Sequence, residues 1–213
     1  DAAAFEQDDS PAAFERVVET LLASPRYGER WGRHWMDVVR YSDTAGDNAD
    51  YPIPEIRLYR DYIIDAFNAD MPYDRFVREQ LAGDILAGQG PRDQYASRVI
   101  ATGFLALSRR YATAPFEFMH LTIEDAIETT GRAFMGMTLR CARCHDHKYD
   151  PFTQRDFYSL KAFFHNIPER GIGAYGNPIR QNAPPFIKLP TPEIQARING
   201  LNDRIKQAND QLA

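Results

Sequence analysis

Apolar side chains recur along this chain at three- and four-residue intervals, the spacing that lays one stripe down an α-helix. Phe14, Val17, Val18, Leu21 and Leu22 form the first stripe. Ser10 is its predicted N-cap and Pro11 its first helical residue, where a missing N–H costs nothing. Tyr27, Trp31, His34, Trp35 and Val38 make a second, strongly aromatic stripe whose plain reading is core packing. Further helices fit residues 56–67, 76–81 and 95–107, separated by Met71-Pro72 and by a Gly/Pro break at 88–91. Thr122 with Asp125 reads as a capping signal for a helix carrying Ile123, Ile127, Phe134 and Met137. Thr153 with Asp156 reads as another, leading into Phe157, Leu160, Phe163 and Phe164. No sustained strand alternation and no internal repeat appear.

The expected fold is therefore all-α: an irregular multi-helix domain over residues 1–170 and a Pro/Gly-rich linker over 171–190, followed by a helical arm over 191–213. In the arm, Ile194, Ile198, Leu201, Ile205, Ala208 and Leu212 alternate spacings of four and three. That is the a/d seam of a coiled coil or helical hairpin, and it calls for a helical partner.

Composition adds limits rather than a function. The chain has 213 residues, 44% hydrophobic and 26% charged, enough for one globular domain with an appendage. A net charge of -5 and a pI near 5.6 give nucleic acid no electrostatic footing. No run of about 18 apolar residues encodes a membrane span. The opening Asp1-Ala2-Ala3-Ala4 carries no signal-peptide pattern and reads as the interior of a longer protein. Between residues 43 and 54 a polar loop offers Asp43, Asp47, Asn48 and Asp50 as oxygen ligands for calcium, without the spacing or final glutamate of an EF-hand.

The chemistry concentrates elsewhere. Both cysteines of the chain lie in Cys141-Ala142-Arg143-Cys144-His145, followed by Asp146-His147-Lys148-Tyr149-Asp150-Pro151. C-x-x-C-H is the attachment signature of c-type haem. Two thiols three residues apart share one side of a helical turn and can form thioethers to one porphyrin, and the next histidine can ligate the iron. Three alternatives stay open: half of a zinc site, a redox dithiol, or a structural disulfide. Covalent haem would also imply an exported, periplasmic setting. His145 is the expected proximal ligand, His34 the first choice for a sixth, and His147 a residue hydrogen-bonding loop backbone or Asp150 behind the ligand. Gly131 and Gly136, just upstream, suggest close approach by something bulky, a haem face or another helix.

Several long blocks resemble one family. They are the run from Leu22 to Thr44, Tyr59-Arg60-Asp61-Tyr62, Met71-Pro72-Tyr73-Asp74, Gln80-Leu81-Ala82-Gly83-Asp84, and Thr130 to Phe134 leading into Cys141–Pro151. Over about residues 1–170 the chain is similar to the planctomycete cytochrome-c-like domain family. The resemblance implies a domain of largely uncharacterised function within large exported bacterial proteins, with C-x-x-C-H taken as a haem c site. Its pattern includes His34, His145 and His147, and it makes Met137 a poor ligand. The expected function is electron transfer with a redox partner domain or protein. The alternatives are a peroxidase- or oxidase-like haem enzyme with an open sixth position, and a non-haem metal or structural module for cell-surface interactions.

Overall fold

The structure, a computed structural model, describes residues 2–46, 50, 52–109, 118–166, 189 and 192–212. Among these residues every regular element is helical, apart from one isolated bridge between Thr44 and Pro52. The all-α expectation holds.

The chain begins with α1 (Ala2–Glu6) and α2 (Ala13–Leu22). Ser10 does not cap α2, because the helix starts three residues later behind Ala12. Ser10 instead closes a turn: its carbonyl accepts from Ala13 N–H at 3.0 Å and its hydroxyl from Arg16 at 2.7 Å. Phe14, Leu21 and Leu22 remain exposed, so this stripe is amphipathic as read but not buried. The next helix, α3 (Arg26–Val38), lies close against α4 (Arg57–Asn68). Gly28 permits the approach: a Cβ there would meet the Asn68 side chain at 2.7 Å, and Gly28 N–H donates to Asn68 Oδ1 at 2.8 Å. The aromatic stripe of α3 divides. Trp35 packs against the core, while Trp31 is exposed.

The first core gathers Val39, Ile56, Tyr59, Tyr62, Ile63, Phe76, Ala101 and Phe104 from α3 through α7. It includes α5 (Tyr73–Gln89), longer than the sequence suggested and kinked at Ala82, together with α6 (Tyr95–Ala101) and α7 (Gly103–Ala106). The two fully buried polar side chains of this core, Glu79 and Gln80, are both hydrogen-bonded. Gln80 Oε1 accepts from Tyr59 Oη at 2.5 Å and Trp35 Nε1 at 3.2 Å, while Gln80 Nε2 donates to Phe76 O at 3.1 Å. Glu79, 1% exposed, accepts from Tyr62 Oη at 3.0 Å and from Arg75 at 2.8 Å. Burial pushes both phenols, Tyr59 and Tyr62, well above the ordinary tyrosine range.

A second, smaller core follows: Ile123, Ile127, Leu139, Ala142 and Phe157. It comes from α8 (Met119–Thr130), a π turn (Gly131–Met135), a 3-10 turn (Arg140–Arg143) and α9 (Gln154–His165). Thr122 is not the cap of α8. It sits inside the helix, buried, with its hydroxyl donating to Arg109 O at 2.9 Å. The two glycines have local causes. A Cβ on Gly131 would meet Leu139 Cγ at 2.5 Å, and Gly136 turns the chain in the left-handed region at φ 64°. The bulky neighbour at Gly131 is thus the chain's own leucine. Phe134, on the turn that follows α8, packs into the first core through ring contacts with Trp35 at 5.7 Å and Phe104 at 4.9 Å. Arg40 adds an ion pair to Asp125 at 2.8 Å.

The arm is α10 (Pro192–Leu212), with Ile194, Ile198, Leu201 and Ile205 exposed along its seam. The expected linker, 171–190, lies outside the described residues except for Leu189.

Candidate functional site

The C-x-x-C-H segment is held between two helices and pinned from beneath. Leu139 and Ala142 are fully buried in the second core, so they anchor the 3-10 turn by its apolar side. From α8, Glu124 meets Arg143 at 2.7 Å, and Glu128 accepts from the backbone N–H of Arg140 at 2.8 Å. From α9, Gln154 Nε2 and Tyr158 Oη both donate to the carbonyl of Arg143, at 3.0 and 3.1 Å. Gln154 N–H donates to Asp146 Oδ1 at 2.8 Å.

The start of α9 is fixed by the capping box expected from sequence: Asp156 N–H donates to Thr153 Oγ1 at 3.1 Å and Thr153 N–H to Asp156 Oδ2 at 2.9 Å. Hydrogen bonds from Thr153 hold the Asp156 carboxyl below its ordinary 3.8. Glu124, Glu128, Gln154 and Tyr158 were not singled out from sequence. Carboxylates on helices are usually solvated, and nothing in the pattern marks these two as tethers. For Gln154 the only signal was its place directly after a cap.

Cys141 lies in the 3-10 turn and Cys144 is its C-cap; both are free and exposed. Residues three apart eclipse in this geometry, so the two thiols project from one side of the turn. His145 follows, also exposed, with Nδ1 2.7 Å from the carbonyl of Asp146. A carbonyl can only accept, so Nδ1 carries a proton and, in the neutral ring, Nε2 holds the lone pair. That is the tautomer a metal-ligating imidazole needs, fixed by the second-sphere bond that usually orients such rings.

His147 has the opposite tautomer. Its Nδ1 accepts from Asp150 N–H at 3.0 Å and Tyr149 N–H at 3.4 Å, so in the neutral ring the proton sits on Nε2. The Asp150 carboxylate, 3.1 Å from the same nitrogen, forms an ion pair only when the ring is protonated. His147 therefore serves its loop, as its position suggested.

Cys141, Cys144, His145 and His147 share one segment, while His34 lies on α3. His34 is exposed on α3 with its ring 5.4 Å from Trp31. Among the described residues no hydrogen bond, ion pair or ring contact joins His34 to residues 140–150.

Two exposed thiols three residues apart and an exposed imidazole with Nε2 as its lone-pair nitrogen in the neutral ring fit covalent attachment of a porphyrin. A closed small-ion site has less support: among the described residues no three His, Cys, Asp or Glu side chains converge on one position. In the acidic loop Asp43 accepts from Tyr41 Oη at 2.5 Å and Asp50 from Gly46 N–H at 3.0 Å, while Asp47 and Asn48 lie outside the described residues.

Residues 1–169 match a family model described as PSCyt2, Protein of unknown function (DUF1549). The chain belongs to the PSCyt2 family. The match takes in α1 through α9, and hence both cores and the whole C-x-x-C-H segment of this PSCyt2 chain. No curated protein and no solved structure matches the chain. None of the helices described is long and apolar enough to cross a membrane.

Proposed function

We propose that this PSCyt2 chain is a c-type haem domain for electron transfer, with Cys141 and Cys144 as the thioether positions and His145 as the proximal ligand. The observation that carries this reading is the His145 Nδ1 contact with Asp146 O at 2.7 Å, which leaves Nε2 as the lone-pair nitrogen beside two free thiols. The resemblance to planctomycete cytochrome-c-like domains, which itself takes C-x-x-C-H as a haem c site, is in keeping with it. When bound, haem supplies an iron centre that changes charge by one electron. The chain's part is to hold and orient. Glu124 and Glu128 fix the turn from one side, Gln154 and Tyr158 from the other, and Asp146 sets the imidazole. The reading carries with it export to the periplasm and a redox partner domain or protein.

A second reading is a haem enzyme with an open sixth position. It draws on the placement of His34, whose ring contact is with Trp31 rather than with the motif segment.

The test is periplasmic expression with haem-maturation proteins, followed by haem staining on a denaturing gel and intact mass. The expected outcome is a mass gain of one haem, abolished in Cys141→Ala/Cys144→Ala. An unmodified mass in the folded protein would overturn both readings. Low-spin spectra indifferent to carbon monoxide would favour electron transfer, and high-spin spectra that respond to it would favour the enzyme.

A further inference from the structure

Away from the cysteines, the first core opens into a cavity of about 200 Å³. Its lining includes Tyr27, Trp35, Phe67, Tyr73, Phe76 and Asp70. Five aromatic rings and one carboxylate are a selective combination. Ring faces are electron-rich and attract cations, most strongly once the cation leaves water. The single polar charge is negative. No lysine, arginine or histidine lines the cavity, so an anion finds no counter-charge. The indole N–H of Trp35 is already committed inward to Gln80 and Tyr59, at 3.2 and 3.3 Å. A sugar would therefore meet few donors.

Asp70 provides an independent pointer. It follows the C-cap of α4, Ala69, with φ 45° in the left-handed region. Asp70 N–H donates to Phe67 O at 3.2 Å and Met71 N–H to Ala66 O at 3.0 Å. These are the two bonds of a Schellman ending, whose left-handed position ordinarily belongs to glycine. Aspartate is among the few residues besides glycine that tolerate this conformation, and here it sets a solvent-exposed carboxylate among the lining residues of the cavity. That carboxylate takes no hydrogen bond or ion pair among the described residues, so it is available to a cation.

We propose that this cavity binds a small organic cation, a quaternary or N-methylated ammonium group, caged by Tyr27, Trp35, Phe67, Tyr73 and Phe76 and neutralised by Asp70. The volume lies below the roughly 300 Å³ at which pockets begin to accept drug-sized molecules, which suits a headgroup rather than a whole metabolite. Tyr73, 58% exposed, stands at the open side. The site is independent of haem, and the failure of either proposal leaves the other intact.

The experiment titrates the full chain with choline by calorimetry and tryptophan fluorescence, beside choline's uncharged carbon isostere, glucose, and phosphatidylcholine vesicles. Saturable choline binding in the millimolar range is expected, with the isostere at least about tenfold weaker. Asp70→Asn and Asp70→Gly should each weaken choline about tenfold. The glycine variant suits the left-handed backbone, so it should fold at least as well as the parent and separate binding from stability. Tighter binding to vesicles than to free choline would assign the cation to a lipid headgroup; the reverse would assign it to a soluble solute. Equal binding of the isostere, preference for glucose, undiminished binding by Asp70→Gly, or no choline signal by about 50 mM, weaker than any useful affinity, would each overturn the proposal.

Discussion

In the first core the polar side chains are buried and answer one another: Gln80 takes two donors, and Glu79 is enclosed by Tyr62 and Arg75. In the second core the packed cluster is apolar and small; the polar side chains buried beside it on α8 answer the backbone or the surface instead, Thr122, Thr129 and Thr130 donating to carbonyls and Glu124 reaching out to Arg143. The first arrangement makes a rigid scaffold, since an unpaired polar atom in such a core is penalised heavily. The second makes a platform, a thin apolar base under a turn whose reactive atoms face solvent. The two cysteines and His145 are displayed on the smaller of the two units, which is braced on the larger.

The sharpest way to break this contrast is Glu79→Ala. It strands the Tyr62 hydroxyl, Arg75 and also Arg98, whose Nε lies 3.5 Å from Glu79, and should destabilise the protein by about 4 kcal/mol in denaturant unfolding. A value near that of a surface substitution would mean that the buried network is not what holds the scaffold. Next comes Leu139→Ala, which empties the centre of the second core at an expected cost of about 3 kcal/mol. Hydrogen exchange should then rise in α8 and α9 while α4 and α5 keep their protection. Equal loss in both regions would show one cooperative unit instead of two.

Thr153→Ala is the mildest, about 1 kcal/mol through loss of the α9 cap. It also has a pH signature. The folded-state pKa of Asp156 is depressed below 3.8, so its contribution is present above that pH and is lost as pH falls through the lower folded value. Acid titration of the parent should therefore show a loss in this range that is flatter in Thr153→Ala, read as thermal midpoints against pH.

Local signals in the sequence held where local bonds decide. Thr153 and Asp156 are three residues apart and need only each other, so their box was legible. Ser10 and Thr122 matched the same kind of pattern, but Ser10 is taken into a turn with Ala13 and Arg16, and Thr122 by a carbonyl thirteen residues back. The aromatic stripe of α3 was legible as a stripe, but not how it divides: Trp35 turns toward Phe76 and Phe134, while Trp31 and His34 pair on the exposed side. The C-x-x-C-H segment was legible as one short run of cysteines and histidine, whereas its tethers on α8 and α9 required the fold that brings them there.

The join between the cores mixes two kinds of contact. The ring of Phe134 against Trp35 and Phe104 is indifferent to dissolved electrolyte, but the half-exposed Arg40–Asp125 pair is screened over about 10 Å at 0.1 M ionic strength. Raising ionic strength should therefore loosen how firmly the platform is braced on the scaffold while leaving the apolar interior of each untouched. The protein's response to its medium would be concentrated at one seam.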